Sequence, residues 1–98
     1  MTLRDKAFEF AKGAYGASGH AEAKERLQKE CPGLAWDEIV SAYLDASRFS
    51  DAAYDFGDRV HRGVLSEEQA LKEAKQEFPG FSDATYRAFL SHGLFTSR

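Results

Sequence analysis

Proline is the residue a helix interior tolerates least, and this chain has two, set in matching surroundings. One stands in Glu30-Cys31-Pro32-Gly33-Leu34 and the other in Glu77-Phe78-Pro79-Gly80-Phe81. A charged run precedes each, Ala21 to Lys29 and Glu67 to Gln76. Each is followed by a stretch ending in a like apolar phrase, Ala42-Tyr43-Leu44 and Ala88-Phe89-Leu90. Upstream, Ala7-Phe8-Glu9-Phe10 is answered by Ala53-Tyr54-Asp55-Phe56. Self-similarity at a fixed spacing marks a repeated supersecondary unit, so the sequence reads as an internal duplication. The prolines are 47 residues apart, whereas Phe10 and Phe56, like Tyr43 and Phe89, are 46 apart. One residue is thus inserted before the second proline and one lost after it, in or near loops that accept such slips.

Helical periodicity runs through the intervals between these landmarks. Helix 1 is expected over about Thr2 to Tyr15, capped by Thr2, with Leu3, Ala7, Phe10, Ala11 and Ala14 on one face and Phe8 and Tyr15 on an offset line. Gly13, Gly16 and Gly19 weaken a helix, which puts the first loop at Gly16 to Gly19. Helix 2 follows to Glu30, with Ser18 as its cap, a narrow stripe of Ala23, Leu27 and Cys31, and Glu22–Arg26 and Glu25–Lys29 as i,i+4 pairs. Helix 3, about Ala35 to Arg48, carries the strongest apolar face, Trp36, Ile39, Val40, Tyr43 and Leu44. Ser47 to Ser50 reads as a break or bend. Helix 4, Asp51 to Arg62, turns Ala53, Phe56, Gly57 and Val60 inward and exposes Asp55–Arg59 and Asp58–Arg62, until Gly63 ends it. Ser66-Glu67-Glu68-Gln69 is a capping-box start for helix 5. Ser82 caps helix 6, with Tyr86, Phe89 and Leu90 inward and Gly93 as its stop, after which Leu94 and Phe95 fold back or fray.

The resulting expectation is all-α: six short helices as two pseudo-symmetric three-helix units, about 2–48 and 49–95, around one core in a single helical domain 1–98. A chain this short removes only about two-thirds of its unfolded surface from water, so neither half suffices alone.

Charge and reactive residues narrow the function. The net charge is −3. Residues 1–48 hold seven Lys/Arg against eight Asp/Glu, and residues 49–98 six against eight, so neither half has the basic excess that phosphate binding uses. A helix-turn-helix reading, with helix 3 or 6 as recognition helix, is the alternative because a glycine-bearing turn joins each helix pair. Asp37, Glu38 and Asp45 against Arg48 give helix 3 the wrong sign for a DNA backbone, and helix 6 offers Arg87, Ser91 and His92. His20, His61 and His92 have no partner at zinc-ligand spacing. Cys31, the one cysteine, forms no intrachain disulfide, which suits a reducing cytoplasm, and its counterpart in the second copy, Phe78, points to a core position rather than a nucleophile. The start of the chain shows no apolar export segment, and no 18 apolar residues run together, so no membrane role is expected. The glycines of Lys12 to Gly19 lack the Gly-Lys-Ser/Thr ending of a phosphate loop. No cofactor, metal or catalytic residue is assigned.

The phrase Phe78-Pro79 followed by Phe89-Leu90, and Cys31-Pro32 followed by Tyr43-Leu44, resembles the start of CUE-type ubiquitin-binding domains over about 20 residues per copy. The first copy departs from that pattern in lacking an aromatic before its proline. The second leaves no room for the full third helix.

What remains is a cytoplasmic, non-enzymatic interaction module: an adaptor, inhibitor or regulatory subunit that meets a protein partner or a second copy of itself. Eight Phe, four Tyr and one Trp exceed what one small core hides. Aromatic anchors at a surface are typical of interfaces. Phe8, Tyr15, Tyr54 and Phe95 lie off the main stripes and are the partner-binding candidates.

Overall fold

Helix starts in this chain are set by side chains that accept hydrogen bonds from otherwise orphaned backbone N–H groups. In the computed structural model, which describes residues 2–97, Thr2 Oγ1 accepts from Asp5 N at 3.2 Å and Asp5 Oδ2 accepts from Thr2 N at 3.2 Å. That capping box opens α1, Leu3–Ala11. Ser66 and Gln69 do the same for α4, Glu67–Glu77, at 2.9 and 3.1 Å. Ser82 caps α5, Asp83–Thr96, by accepting from Thr85 N at 3.3 Å. With α2, Gly16–Glu30, and α3, Trp36–His61, these make five helices covering 78% of the residues, without a strand among those described. Met1, Arg98 and the sequence reading of the extreme termini lie outside the described residues.

Five helices replace the six expected. The break at Ser47 to Ser50 does not form, and α3 runs for 26 residues. Ala46, Phe49, Ala53 and Phe56 recur at spacings of three or four and are all buried, so one apolar line passes through the segment read as a bend. No glycine or proline interrupts it, and a continuous helix keeps every i→i−4 hydrogen bond that a break forfeits. Other boundaries also shift. The first loop is residues 12–15 and α2 starts at Gly16, whose φ of +69° excludes most side chains, so Ser18 lies inside the helix rather than capping it. Gly93 does not end the last helix, which continues through Leu94 and Phe95 to Thr96.

The chain divides into an N-terminal unit, Met1–Ser50, and a C-terminal unit, Asp51–Arg98. In the first, α1 packs on α2. Its buried residues are Ala7, Phe8 and Ala11 of α1, Ala23 and Leu27 of α2, and Ile39, Ala42, Tyr43, Ala46 and Phe49 of α3. The Phe8 and Phe49 rings lie 5.4 Å apart, and full burial of a side chain of that size contributes about 2–3 kcal/mol. Arg4 ties α1 to α3 through Asp45 at 3.1 Å. Leu44, expected on the inner face, is 47% exposed. It lies about 100° around the helix from Tyr43, off the line that Ala46 and Phe49 continue.

In the second unit α4 packs on α5. Phe56 meets Phe89 edge-on at 5.4 Å, a geometry that aligns the ring edge with the facing π cloud. Gly57 of α3 and Gly93 of α5 are where two backbones meet. A Cβ added at Gly57 would overlap the Gly93 carbonyl and lie 2.7 Å from Leu94 N. One added at Gly93 would overlap the Ala53 carbonyl oxygen. The Pro79-Gly80 turn is pinned by buried Tyr86, whose hydroxyl donates to Phe78 O at 2.7 Å and accepts from Phe81 N at 3.4 Å. At the end of α3, Gly63 N donates to Val60 O and Val64 N to Arg59 O, a Schellman cap that the φ of +75° at Gly63 allows. The expected pairs Asp55–Arg59 and Asp58–Arg62 form at 3.0 and 3.4 Å.

Candidate functional site

Three of the four aromatic candidates stand at the surface, and the fourth does not. Tyr15 is 87% exposed, Tyr54 57% and Phe95 69%. Phe8 is fully buried and is removed from the partner-binding set. One cause explains both the error at Phe8 and the missing break in α3. With residues 47–50 helical, Phe49 faces inward and supplies the ring against which Phe8 packs. Trp36, Leu44 and Val64 are exposed large apolar residues that the sequence reading did not single out as surface.

The N-terminal unit has a cleft of about 180 Å³ where the α1–α2 loop meets α2. It arises because Gly13, Ala14, Gly19 and Ala23 bring backbone and methyl groups where larger side chains would fill the space. Phe10 and Tyr15 supply aromatic lining, and Glu22 and Arg26, one turn apart on α2, supply one charge of each sign. Pockets for drug-sized ligands begin at about 300 Å³, so this cleft is sized for one side chain. The small residues between Lys12 and Gly19 are the sequence signal for it, although by themselves they mark only a helix–helix turn.

In the C-terminal unit, α3 carries Arg59 near its end. Its guanidinium lies 4.5 Å from the Phe56 ring centroid. It pairs with Asp55 at 3.0 Å and reaches Glu73 on α4 at 3.9 Å. Its Nε is buried without a protein partner. A second hollow, about 310 Å³, is lined along α4 by Gln69, Lys72, Glu73 and Gln76, with Leu65. Leu65 is the one apolar side chain of that lining, and it brings no aromatic ring.

The reactive side chains are engaged locally. His20 Nδ1 and the buried Tyr43 hydroxyl share a hydrogen bond at 2.5 Å. His61 Nε2 donates to Leu94 O at 2.8 Å, stitching the end of α3 to the last turns of α5. Cys31 is a half-buried free thiol at the C-cap of α2. Among the described residues no three His, Cys, Asp or Glu side chains gather as a metal site, and no helix is long and apolar enough to cross a membrane. The Asp83 carboxyl is held below its ordinary value. The cause is chiefly the Lys75 ammonium, which donates to Asp83 Oδ1 at 2.9 Å, with the charges of Lys75 and Arg87 adding to it.

Of the residues carrying the CUE-type resemblance, Tyr43, Phe89 and Leu90 are buried, and Leu44 is exposed, so the two copies do not present the same surface. Compared with known proteins, the chain matches no protein family, no curated protein and no solved structure.

Proposed function

We propose that this chain is a small cytoplasmic, non-enzymatic protein–protein interaction module, an adaptor, inhibitor or regulatory subunit, built as two copies of one three-helix unit. The observation that carries it is the exposure of Tyr15, Tyr54 and Phe95, at 87, 57 and 69%. Large aromatics left in water forfeit burial, and they are the residue types enriched at the centres of interfaces. The lone Cys31 is the ground for placing the protein in a reducing compartment. The duplication is supported by burial at matching positions. Ala7 and Ala53, Ala11 and Gly57, Ala23 and Ala70, Leu27 and Ala74, Ile39 and Thr85, and Tyr43 and Phe89 are buried in both units. The offsets are the same 46 and 47 residues that relate the motifs.

The nucleic-acid alternative has no comparable support, since the first turn of α3 exposes Asp37 and Glu38. The test is capture of partners from the native host by the tagged chain and by a Tyr15→Ser/Tyr54→Ser/Phe95→Ser variant of equal helicity. Sedimentation of both is measured alongside, because self-association would use the same residues. The proposal expects a partner, or a second copy, that the wild type holds and the variant loses. Equal capture and equal mass for both proteins would overturn it.

A further inference from the structure

We infer that the cleft between α1 and α2 receives an arginine side chain of a protein partner, with its guanidinium over the Phe10 ring and against the Glu22 carboxylate. This rests on the interaction reading and on the correspondence of the two units.

The C-terminal unit contains the template. Arg59 there lies over Phe56 and between the carboxylates of Asp55 and Glu73. An offset of 46 residues places Phe10 at the position of Phe56, Glu9 at that of Asp55 and Gly13 at that of Arg59. In sequence the aromatic is thus kept while the arginine is replaced by the smallest residue, and both Phe10 and Gly13 line the cleft of about 180 Å³. The hollow has the volume of one side chain, below that of a small-molecule pocket.

The chemistry of the walls selects the occupant. A planar guanidinium stacks on an aromatic face while its edge donates to a carboxylate, which an ammonium does less well. Among the lining residues Phe10 is the aromatic of the template position and Glu22 the carboxylate. Glu9 is already held by Lys12 at 2.8 Å, which leaves Glu22 as the acceptor. Arg26 occupies the position of Glu73, 47 residues earlier. It opposes a second cation and favours an acidic neighbour beside the incoming arginine. The occupant is thus an arginine flanked by an acidic residue.

The ¹⁵N-labelled full chain, titrated with N-acetylarginine amide and separately with N-acetylnorleucine amide, tests this by amide shifts in NMR spectra. The arginine probe should give saturable shifts at Gly13, Tyr15, Gly19 and Glu22, with a dissociation constant on the order of millimolar. The norleucine probe should give none at those concentrations. Gly13→Arg, at a site where an added Cβ meets nothing within 4 Å, should fill the cleft from within and abolish the response. Glu22→Gln should weaken the probe about threefold or more, and Arg26→Glu should strengthen it by a similar factor. Equal response to both probes, or unchanged affinity in Glu22→Gln and Arg26→Glu, would overturn the inference even if Gly13→Arg failed to fold. Partner capture lost in the serine variants but indifferent to Glu22→Gln and Arg26→Glu would sink this inference and leave the wider reading standing. A chain that binds the arginine probe yet captures nothing would overturn the wider reading and the partner's arginine with it, leaving only the preference of the cleft for a guanidinium.

Discussion

Replacing Gly93 by alanine should destabilise the protein, although the same change in an ordinary helix interior is favourable. Alanine exceeds glycine by about 1 kcal/mol in helix propensity, and Gly93 sits well inside α5. Against that gain stands the backbone of α3. The new methyl would overlap the Ala53 carbonyl oxygen and lie 2.8 Å from its carbon and 3.3 Å from Gly57 N. Ordinary contact begins at 3.4 Å. The neighbour is main chain and cannot rotate away as a side chain does, so the two helices must part and loosen the Phe56–Phe89 contact beside them. Overpacking of this kind costs about 1–3 kcal/mol. Because the Ala53 carbonyl must move by more than half an ångström, the upper part of that range applies, leaving a net loss of about 1–2 kcal/mol after the propensity gain. The melting temperature should fall by roughly 5–15 °C. Urea unfolding followed by circular dichroism reads the difference, with Gly19→Ala as the control. There an added Cβ meets Ala14 at an ordinary 3.7 Å, so stability should rise. Gly57→Ala should be harmful too, and the double variant less harmful than the two losses added, because one separation accommodates both methyls. A Gly93→Ala protein as stable as wild type, with an unchanged urea slope, would refute the close approach of α3 and α5.

Phe8→Ala should cost about 3–5 kcal/mol as a cavity in the N-terminal unit, while Phe95→Ala, at a residue 69% exposed, should cost far less in the same denaturation assay. Leu90→Ala should cost about 2–5 kcal/mol, and Leu44→Ala only a fraction of that, although the two leucines occupy matching places in the sequence. Asp83→Asn should lower stability slightly at neutral pH. The lowered pKa of Asp83 means that its contribution is fully present above the unfolded value near 3.8 and is lost as pH falls through the lower folded value. The gap between wild type and Asp83→Asn should therefore close in strong acid, and salt should narrow it at neutral pH. A gap that widened on acidification would contradict the Lys75–Asp83 pairing.

Much of the helical framework is determined by the sequence alone, because its causes reach no further than a turn or two along the chain. The capping boxes at Thr2 and Ser66, the cap at Ser82, the ends of α2 and α4 before the two prolines, and the Asp55–Arg59 and Asp58–Arg62 pairs are contacts over three to five residues. The decisions that the tertiary structure made concern partners far away in sequence. Whether Ser47 to Ser50 bends depended on a place for Phe49, and that place is beside Phe8, 41 residues earlier. Glycine at 93 reads locally as a helix stop, yet it serves as the point where α5 touches the backbone of α3, 40 residues upstream at Ala53. Gly13 reads as a weak point of the first helix and Gly19 as a loop residue, and only the folded α1–α2 pair turns their missing side chains into a cleft. Hydrogen bonds within a helix are fixed by neighbours in the chain, whereas burial is a property of what else the fold brings to the same place.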